Sequence, residues 1–326
     1  MSAPDLVALP KAELHLHLEG TIRPATAAEL ADRYGLPMPR TGTFANLAEF
    51  VGAYEAARDL VGTLDDLRRV AAELVEDAAA QGVVWSEVHV VPPTYSGRLG
   101  PDEAVLEAVL DGLAAGAGQG PAAGVIVGVN RGLPIEAAER SLRLAVRYAD
   151  AGVVGLGLAG DEAGYPAGRF AEVFARARDA GLRALPHGGE AAGPESVRAC
   201  VEALGATRVN HGVRAVEDPA LVELLAERGI TLDVCPTSNV ALSVYPSPAE
   251  HPLPRLIAAG VPVTLASDCP LFVATNAVEE YRRAAEAFGL GRGELAAIAR
   301  TSLTASSCPP DRRAPALAAV EEWAAG

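Results

Sequence analysis

The feature that most constrains this chain is an alternation of eight short apolar runs with stretches of helical periodicity. The runs lie near residues 12–20, 83–91, 124–130, 153–160, 183–189, 208–212, 231–237 and 261–268. Helical stretches separate them, for example at 136–150, 168–180, 194–204, 218–228 and 276–288. Such alternation is typical of parallel strands joined by helices. Eight strand-like runs that alternate with helices in 326 residues match the size of a (β/α)8 barrel, so we expect an α/β fold of the TIM-barrel type.

The segment between the first two runs is too long for a simple connection. It is rich in helix formers, as in AEFVGAYEAARDLV and TLDDLRRVAAELVEDAAAQ, and predicts a helical insertion after strand 1. The chain shows no internal repeat, linker or low-complexity tract, so one domain over residues 1–326 is expected. GAGQGPAAG at 116–124 reads as a flexible turn.

The charge balance excludes several classes of partner. A formal net charge of −15, from 42 acidic and 27 basic residues, argues against nucleic acid and against an anionic membrane. The N-terminus lacks the features of a signal peptide, and no window approaches 18 uninterrupted apolar residues. We therefore expect a cytoplasmic protein that acts on a small molecule. The oligomeric state does not follow from the sequence.

The cysteines point to no disulfide or thiolate metal site. Cys200, Cys235, Cys269 and Cys308 are scattered without a CxxC pair, so they are expected to be reduced thiols.

Polar residues concentrate where the predicted strands end, which in a TIM barrel is the active-site face. Four of the six histidines stand at such ends. In ELHLHLEG, strand alternation places Glu13, His15, His17 and Glu19 on one face. A half-solvated strand is the ordinary alternative for this pattern. The polar strand-end residues are His15, His17, Glu19, Gly160, Asp161, His187, Glu190, His211 and Asp268.

These residue types suit a catalytic zinc site. Two histidines at i and i+2, a third on a distant strand and an aspartate offer nitrogen and carboxylate ligands, and leave a position for water. Lys11 is the only lysine and precedes the first strand, so no lysine is available to bridge two metals as a carbamate. One zinc per chain is therefore expected. His89 and His251 are interpreted as histidines without a direct role.

Six ordered motifs resemble those of the adenosine deaminase family. They are PKAELHLHLEG, LAGDE at 158–162, PHGGE at 186–190, HG at 211–212, CPTSN at 235–239 and SDCP at 267–270. The resemblance covers about residues 9 to 310. The cytidine deaminase family, with H-x-E followed by P-C-x-x-C, is excluded because the chain contains no P-C-x-x-C.

The resemblance implies a role for each matching residue. It implies a zinc that activates water, a proton donor to purine N1, a histidine that orients and helps deprotonate the zinc water, and a backbone N–H that meets purine N3. The implied zinc ligands are His15, His17, His187 and Asp268, the proton donor is Glu190, the histidine is His211 with Asp268 as its partner, and the N–H is that of Gly160. His17, Glu19 and Cys269 are the further positions expected to contact the substrate.

Four positions depart from the family pattern. Glu19 replaces the aspartate that binds the ribose 5′-hydroxyl, so the 5′ end of the ligand is expected to differ. Cys269 replaces the aspartate that binds purine N7, and a thiol is a much weaker hydrogen-bond partner. Gly157 replaces an aspartate, and Asn210 replaces a small residue before the catalytic histidine.

The resemblance implies a zinc-dependent hydrolytic deaminase of an adenosine-like aminopurine nucleoside. Three alternatives stay open. The first is the related deaminase of 6-amino-6-deoxyfutalosine, a step in menaquinone synthesis. The second is a catalytically impaired member that only binds a ligand. The third is a mononuclear zinc hydrolase for another C–N bond.

Overall fold

The computed structural model describes residues 5–118 and 123–326. At its centre, eight parallel strands follow one another in sequence order. Hydrogen bonds after β8 bring the sheet back to β1: Leu16 bridges Asp268, whose carbonyl accepts the His17 N–H at 3.0 Å. The predicted (β/α)8 barrel is therefore confirmed. The strands are β1 Lys11–His17, β2 Val83–Val90, β3 Ala123–Asn130, β4 Val153–Ala159, β5 Arg183–Gly188, β6 Arg208–His211, β7 Thr231–Val234 and β8 Val263–Leu265.

Each of the five stretches predicted to be helical contains an α-helix. The α-helices of the described residues surround the barrel. They are α1 Pro24–Tyr34, α2 Leu47–Leu60, α3 Leu64–Ala80, α4 Asp102–Gly116, α5 Ile135–Arg147, α6 Ala171–Asp179, α7 Pro194–Glu202, α8 Pro219–Glu227, α9 Pro236–Ala241, α10 Leu253–Ala258, α11 Pro270–Val273, α12 Ala277–Phe288, α13 Arg292–Ala305 and α14 Pro310–Ala325.

The helical segment after β1 contains two different parts. Helices α1 and α2 form the insertion, and α2 packs on the turn that follows β1. Helix α3 instead packs on α4 and β2 and belongs to the outer ring. A capping box between Thr63 and Asp66 fixes where α3 begins. The insertion thus lies over the carboxyl end of β1, where the first histidines are.

Strand β1 departs from simple alternation at Glu13. Its register with β2 shifts between Glu13 and Leu16, as a β-bulge does. The Glu13 carboxylate accepts the Ser267 N–H at 3.0 Å and does not line the pocket described below. The expectation that Glu13 shares a face with His15 stays a prediction, because His15 does not line that pocket either.

A buried ion-pair cluster fills the barrel interior. Arg208 is fully buried and pairs with Glu87 and, at 2.7 Å, with Asp233. A buried arginine needs such partners because an unpaired charge is costly in a low dielectric. The cluster links β2, β6 and β7 inside the barrel.

Several sequence predictions concern the chain as a whole. Within the described residues, the four cysteines are free and buried, and no helix combines the length and apolarity needed to cross a membrane. Of the predicted turn at 116–124, residues 119–122 lie outside the described residues. The single domain over residues 1–326 stays a prediction.

Candidate active site

Three imidazoles and one carboxylate converge at the carboxyl ends of β1, β5 and β8. The Nε2 atoms of His15 and His17 each lie 3.0 Å from Nε2 of His187. Oδ1 of Asp268 lies 3.5 Å from Nε2 of His15 and from Nε2 of His17. The structure therefore brings together all four ligands that the resemblance implied.

The chemistry of this cluster fits a divalent metal ion. Nδ1 of His187 lies 3.0 Å from the carbonyl oxygen of Leu158, and Nδ1 of His15 lies 3.5 Å from that of Asp233. A carbonyl only accepts, so both Nδ1 atoms carry the proton and both Nε2 atoms present lone pairs. Burial lowers the pKa of both histidines well below the usual value. Lone pairs facing one another at this range repel unless a cation lies between them.

The distances also suit one small cation. Two ligand atoms that each lie ~2.05 Å from one zinc can be at most ~4.1 Å apart, and the 3.0 and 3.5 Å separations of this cluster fall within that limit. Nδ1 bonds to backbone carbonyls orient metal-binding histidines in the same way. The residues present therefore fit one ion.

Asp268 is held by its backbone as well as by its side chain. Its N–H donates to the His15 carbonyl at 3.1 Å, and its Oδ2 accepts the Ser238 hydroxyl at 2.7 Å. Its φ of 59° lies in the left-handed region, and so does that of His211 at 64°. Non-glycine residues are uncommon there and cluster at functional sites.

Glu190 lies beside this cluster in a form suited to donate a proton. Burial raises its pKa well above the usual value, and the nearby carboxylates of Asp268 and Glu162 add to the effect. Its Oε1 lies 3.5 Å from Nε2 of His211. A carboxyl group that stays protonated at neutral pH can act as a general acid.

Glu162 positions the loop that carries Glu190. Its carboxylate accepts the backbone N–H groups of Gly189, Glu190, Ala191 and Ala192, the last three at 3.1, 2.7 and 3.0 Å. Hydrogen bonds to a charged acceptor are about twice as strong as neutral ones. Sequence reasoning assigned Glu162 no role, although it belongs to the quoted LAGDE motif.

The Glu19 carboxylate is already occupied by two tyrosines. Tyr54 from α2 donates to Oε2, and Tyr95 donates to Oε1 at 2.6 Å. Burial raises the pKa of both tyrosines well above the usual value, so both stay protonated donors. Neither Tyr54 nor Tyr95 could be predicted as a site residue, because nothing in their local sequence pattern sets them apart.

Two further predicted contact positions, Gly160 and Cys269, also line the pocket. Gly160 has a φ of +102°, which favours glycine. Cys269 is fully buried, and its Sγ lies 3.5 Å from Oδ1 of Asp268. Burial, followed by the Asp268 carboxylate, raises the pKa of this thiol well above the usual value.

One histidine explains two departures from the family pattern. A Cβ on Gly157 would lie 2.7 Å from Nδ1 of His89, so any side chain there would collide with the imidazole. Nδ2 of Asn210 lies 2.9 Å from Nε2 of the same ring. His89 also stacks on His17, with ring centroids 5.0 Å apart. His89 therefore packs against His17, a candidate metal ligand, and does not line the pocket.

The pocket itself is a small cavity of about 120 Å³. The inserted helix α2 forms one wall through Leu47, Phe50, Val51 and Tyr54. The predicted residues that line the cavity are His17, Glu19, Gly160, His187, Glu190, His211, Asp268 and Cys269. His15 lies beneath it and is fully buried.

Known proteins resemble the chain over nearly its whole length. Residues 10–323 match the model of the adenosine deaminase family. A Streptomyces coelicolor relative with the provisional name adenosine/adenine deaminase is 42% identical, with 98% of each chain covered. The crystal structure of an adenine deaminase from Arthrobacter aurescens matches with a TM-score of 0.90 and 30% identity, over 99% of this chain and 100% of that one. An amidohydrolase structure from Burkholderia ambifaria with bound zinc matches with a TM-score of 0.87 and 28% identity, over 98% and 92%.

Proposed function

The chain belongs to the adenosine deaminase family, whose members are hydrolases that act on a C–N bond, and we propose that it deaminates a free 6-aminopurine base such as adenine. The activity is hydrolytic deamination of the adenine or adenosine type. The choice of the base over the nucleoside, the zinc ion and the cytoplasmic location are parts of this proposal.

The observation that carries the choice of substrate is the environment of Glu19. Each oxygen of the Glu19 carboxylate already accepts one tyrosine hydroxyl, from Tyr54 or Tyr95. A second lone pair remains on each oxygen, so a ribose 5′-hydroxyl could bond here only if the space beside the two tyrosines admitted the sugar. The two tyrosines and the small cavity together favour the free base over the nucleoside that the resemblance implied.

The size of the pocket supports the same choice. A cavity of about 120 Å³ is smaller than the ~300–1,000 Å³ of most small-molecule sites, and suits a flat heterocycle better than a nucleoside. The one arginine among the lining residues of this described pocket, Arg58, already pairs with Asp59 at 3.1 Å. A 5′-phosphate would have to compete with that carboxylate.

A metal ion would be held by His15, His17, His187 and Asp268. Zinc, when bound, supplies a Lewis acid that lowers the pKa of water from 15.7 to about 7. The Zn-containing Burkholderia ambifaria neighbour and the donor set support zinc as the ion.

The residues of the chain would supply the proton and the orientation. Glu190, whose pKa is raised by burial and by Asp268 and Glu162, would protonate ring N1 while water adds to C6. The backbone N–H of Gly160 would meet ring N3, since no side chain obstructs it. Phe50 and Tyr54 from α2 would cover the ring and exclude bulk water.

Ammonia release from a purine panel tests this proposal. The panel contains adenine, adenosine, AMP, 6-amino-6-deoxyfutalosine and an aminopterin, and we expect kcat/KM for adenine to exceed that for adenosine by at least about 100-fold. Equal or better turnover of adenosine would refute the choice of the free base. Release only from the futalosine derivative, only from the aminopterin, or from no compound would support the alternatives left open by the sequence.

A variant at Glu19 sharpens the test. Glu19→Asp shortens the side chain by one methylene and withdraws the carboxylate from the two tyrosines. The kcat/KM for adenosine should therefore rise relative to that for adenine. Asp59→Glu on the exposed end of α2 is the matched control and should leave the ratio unchanged.

A further inference from the structure

A hydrogen-bonded chain runs from the backbone of α10 to the candidate catalytic histidine. Leu253 N–H contacts Nδ1 of His251 at 3.2 Å, and Nε2 of His251 contacts Oδ1 of Asn239 at 3.1 Å. Nδ2 of Asn239 then contacts Nδ1 of His211 at 3.2 Å. Nothing in the sequence analysis gave His251 or Asn239 a function.

The backbone N–H of Leu253 sets the donor and acceptor roles along this series of hydrogen bonds. A backbone N–H can only donate, so Nδ1 of His251 must accept and cannot carry a proton. His251 is 4% exposed, and burial lowers its pKa to about 4, so it is neutral at pH 7. Its single proton therefore lies on Nε2, which donates to Asn239.

Asn239 extends the same order of donor and acceptor to His211. Because His251 donates, the amide atom facing it must be the oxygen, and the NH2 group must face His211. The Asn239 backbone is fixed as well, since its N–H donates to the Cys235 carbonyl at 2.9 Å and its carbonyl accepts the Val244 N–H at 2.9 Å. The buried amide has no freedom to reverse without losing both side-chain bonds.

We propose that His251 and Asn239 are positioning residues that hold neutral His211 in the tautomer protonated at Nε2. Nδ1 of His211 receives a donor from Asn239 and must stay unprotonated. The proton on Nε2 points toward the pocket, where Oε1 of Glu190 lies 3.5 Å away. His211 therefore presents a hydrogen-bond donor to the reacting groups.

This assignment changes the role that the family resemblance implied for His211. A neutral imidazole with a proton on Nε2 cannot accept another proton at that atom from water. It can hold an oxygen acceptor in place and can stabilise negative charge that develops on it. The catalytic consequence rests on the proposed deaminase activity, whereas the tautomer itself does not.

Nitrogen NMR of the zinc-loaded protein tests the tautomer directly. In 15N-histidine-labelled protein at pH 7, long-range proton–nitrogen correlations distinguish protonated from unprotonated ring nitrogens, and His211→Gln and His251→Gln identify the two spin systems. We expect Nε2 protonated and Nδ1 unprotonated for both His211 and His251. A proton on Nδ1 of His211 in the parent protein would overturn the proposal.

Asn239→Asp reverses the donor that faces His211. A carboxylate accepts at both oxygens, so the His251 contact can persist while Nδ1 of His211 gains a proton. The kcat should fall at least about tenfold with a smaller change in KM. Asn276→Asp is the matched control, because Asn276 caps α12 through an oxygen that aspartate retains, and it should change neither the His211 signals nor kcat. An unchanged His211 tautomer in Asn239→Asp would refute the proposal that Asn239 determines that tautomer.

A pair of variants at His251 tests the first link and does not depend on Asn239→Asp folding. His251→Gln keeps a side-chain donor for Asn239 and should retain the His211 tautomer. His251→Leu removes that donor, which frees the amide to rotate, and should give a mixture of both tautomers. A single unchanged tautomer in His251→Leu contradicts the proposal. A protein with the expected tautomer but no ammonia release from any purine would refute the proposed function alone.

Discussion

Cys269→Asp should improve recognition of purine N7. N7 of a neutral purine accepts a hydrogen bond, but the buried Cys269 thiol lies 3.5 Å from Oδ1 of Asp268 and is a weak donor. An aspartate at this position would be desolvated and would face Asp268 and Glu19, the carboxylates that raise the pKa of the present thiol. Burial and like charge would keep it protonated, so it could donate an O–H to N7.

The expected gain is about one neutral hydrogen bond. Replacing a weak S–H donor by an O–H donor gives about 1.4 kcal/mol at best, which corresponds to a tenfold rise in kcat/KM. Close packing around residue 269 opposes this gain. The Gly20 backbone approaches the Cys269 side chain so closely that a Cβ built on Gly20 would lie only 2.7 Å from Sγ. Overpacking costs about 1–3 kcal/mol. Cys269→Ser supplies a smaller O–H donor without that cost and should show part of the gain.

The assay compares adenine with its 7-deaza analogue, in which a C–H group replaces N7. Cys269→Asp should raise the ratio of kcat/KM for adenine to kcat/KM for the analogue by up to about tenfold. Zinc content should stay that of the parent, since Asp268 still provides the ligand. Cys308→Ser, at another buried cysteine, controls for loss of a thiol. An equal change on both substrates, or high parent activity on adenine that the substitution does not affect, would show that residue 269 does not recognise N7.

Further predictions follow from the same site. Metal analysis should find one zinc per chain, lost in His15→Ala combined with His17→Ala; two equivalents, or metal retained in that variant, would contradict the ligand assignment. Glu190→Gln should keep fold and zinc but lose ~10²–10⁴ of kcat, because an amide cannot donate the carboxylic proton; activity within tenfold of the parent would exclude it as the donor. Because burial and negative neighbours raise the pKa of Glu190, kcat/KM should fall as pH rises through that raised pKa. Glu162→Gln should shift this alkaline limb to lower pH by removing one negative neighbour, and should lower stability by about 1–3 kcal/mol through the lost loop bonds; the exposed Asp161→Asn is its control, and an unmoved limb would refute the coupling.

The barrel and the cluster of candidate metal ligands could be predicted because they depend on local patterns. Each strand is a short apolar run between helical stretches, and parallel strands place their carboxyl ends on one face. His15, His17, His187 and Asp268 follow from that rule together with the ordered motifs of the family. No contact between distant residues had to be known in advance.

The supporting residues could not be predicted, because their roles depend on contacts between distant segments. The Glu162 carboxylate reaches a loop that begins 27 residues later, and Asn239 of α9 reaches His211 at the end of β6. Tyr54 meets Glu19 only because the insertion folds over β1.

Backbone conformation and chemistry are coupled at the two strand ends that complete the site. His211 and Asp268 both adopt left-handed φ values, which cost about 1–3 kcal/mol each for non-glycine residues. Asn, Asp and His are the side chains most often tolerated in this region, and two of these types also supply metal ligands and proton carriers. The conformation persists at Asp268 because backbone hydrogen bonds join it to both His15 and His17, and at His211 because Gly212 N–H donates to the Gly188 carbonyl at 2.9 Å. The bonds that close the barrel at Asp268 thus also orient a candidate ligand, so the geometry of the candidate metal site depends on closure of the sheet.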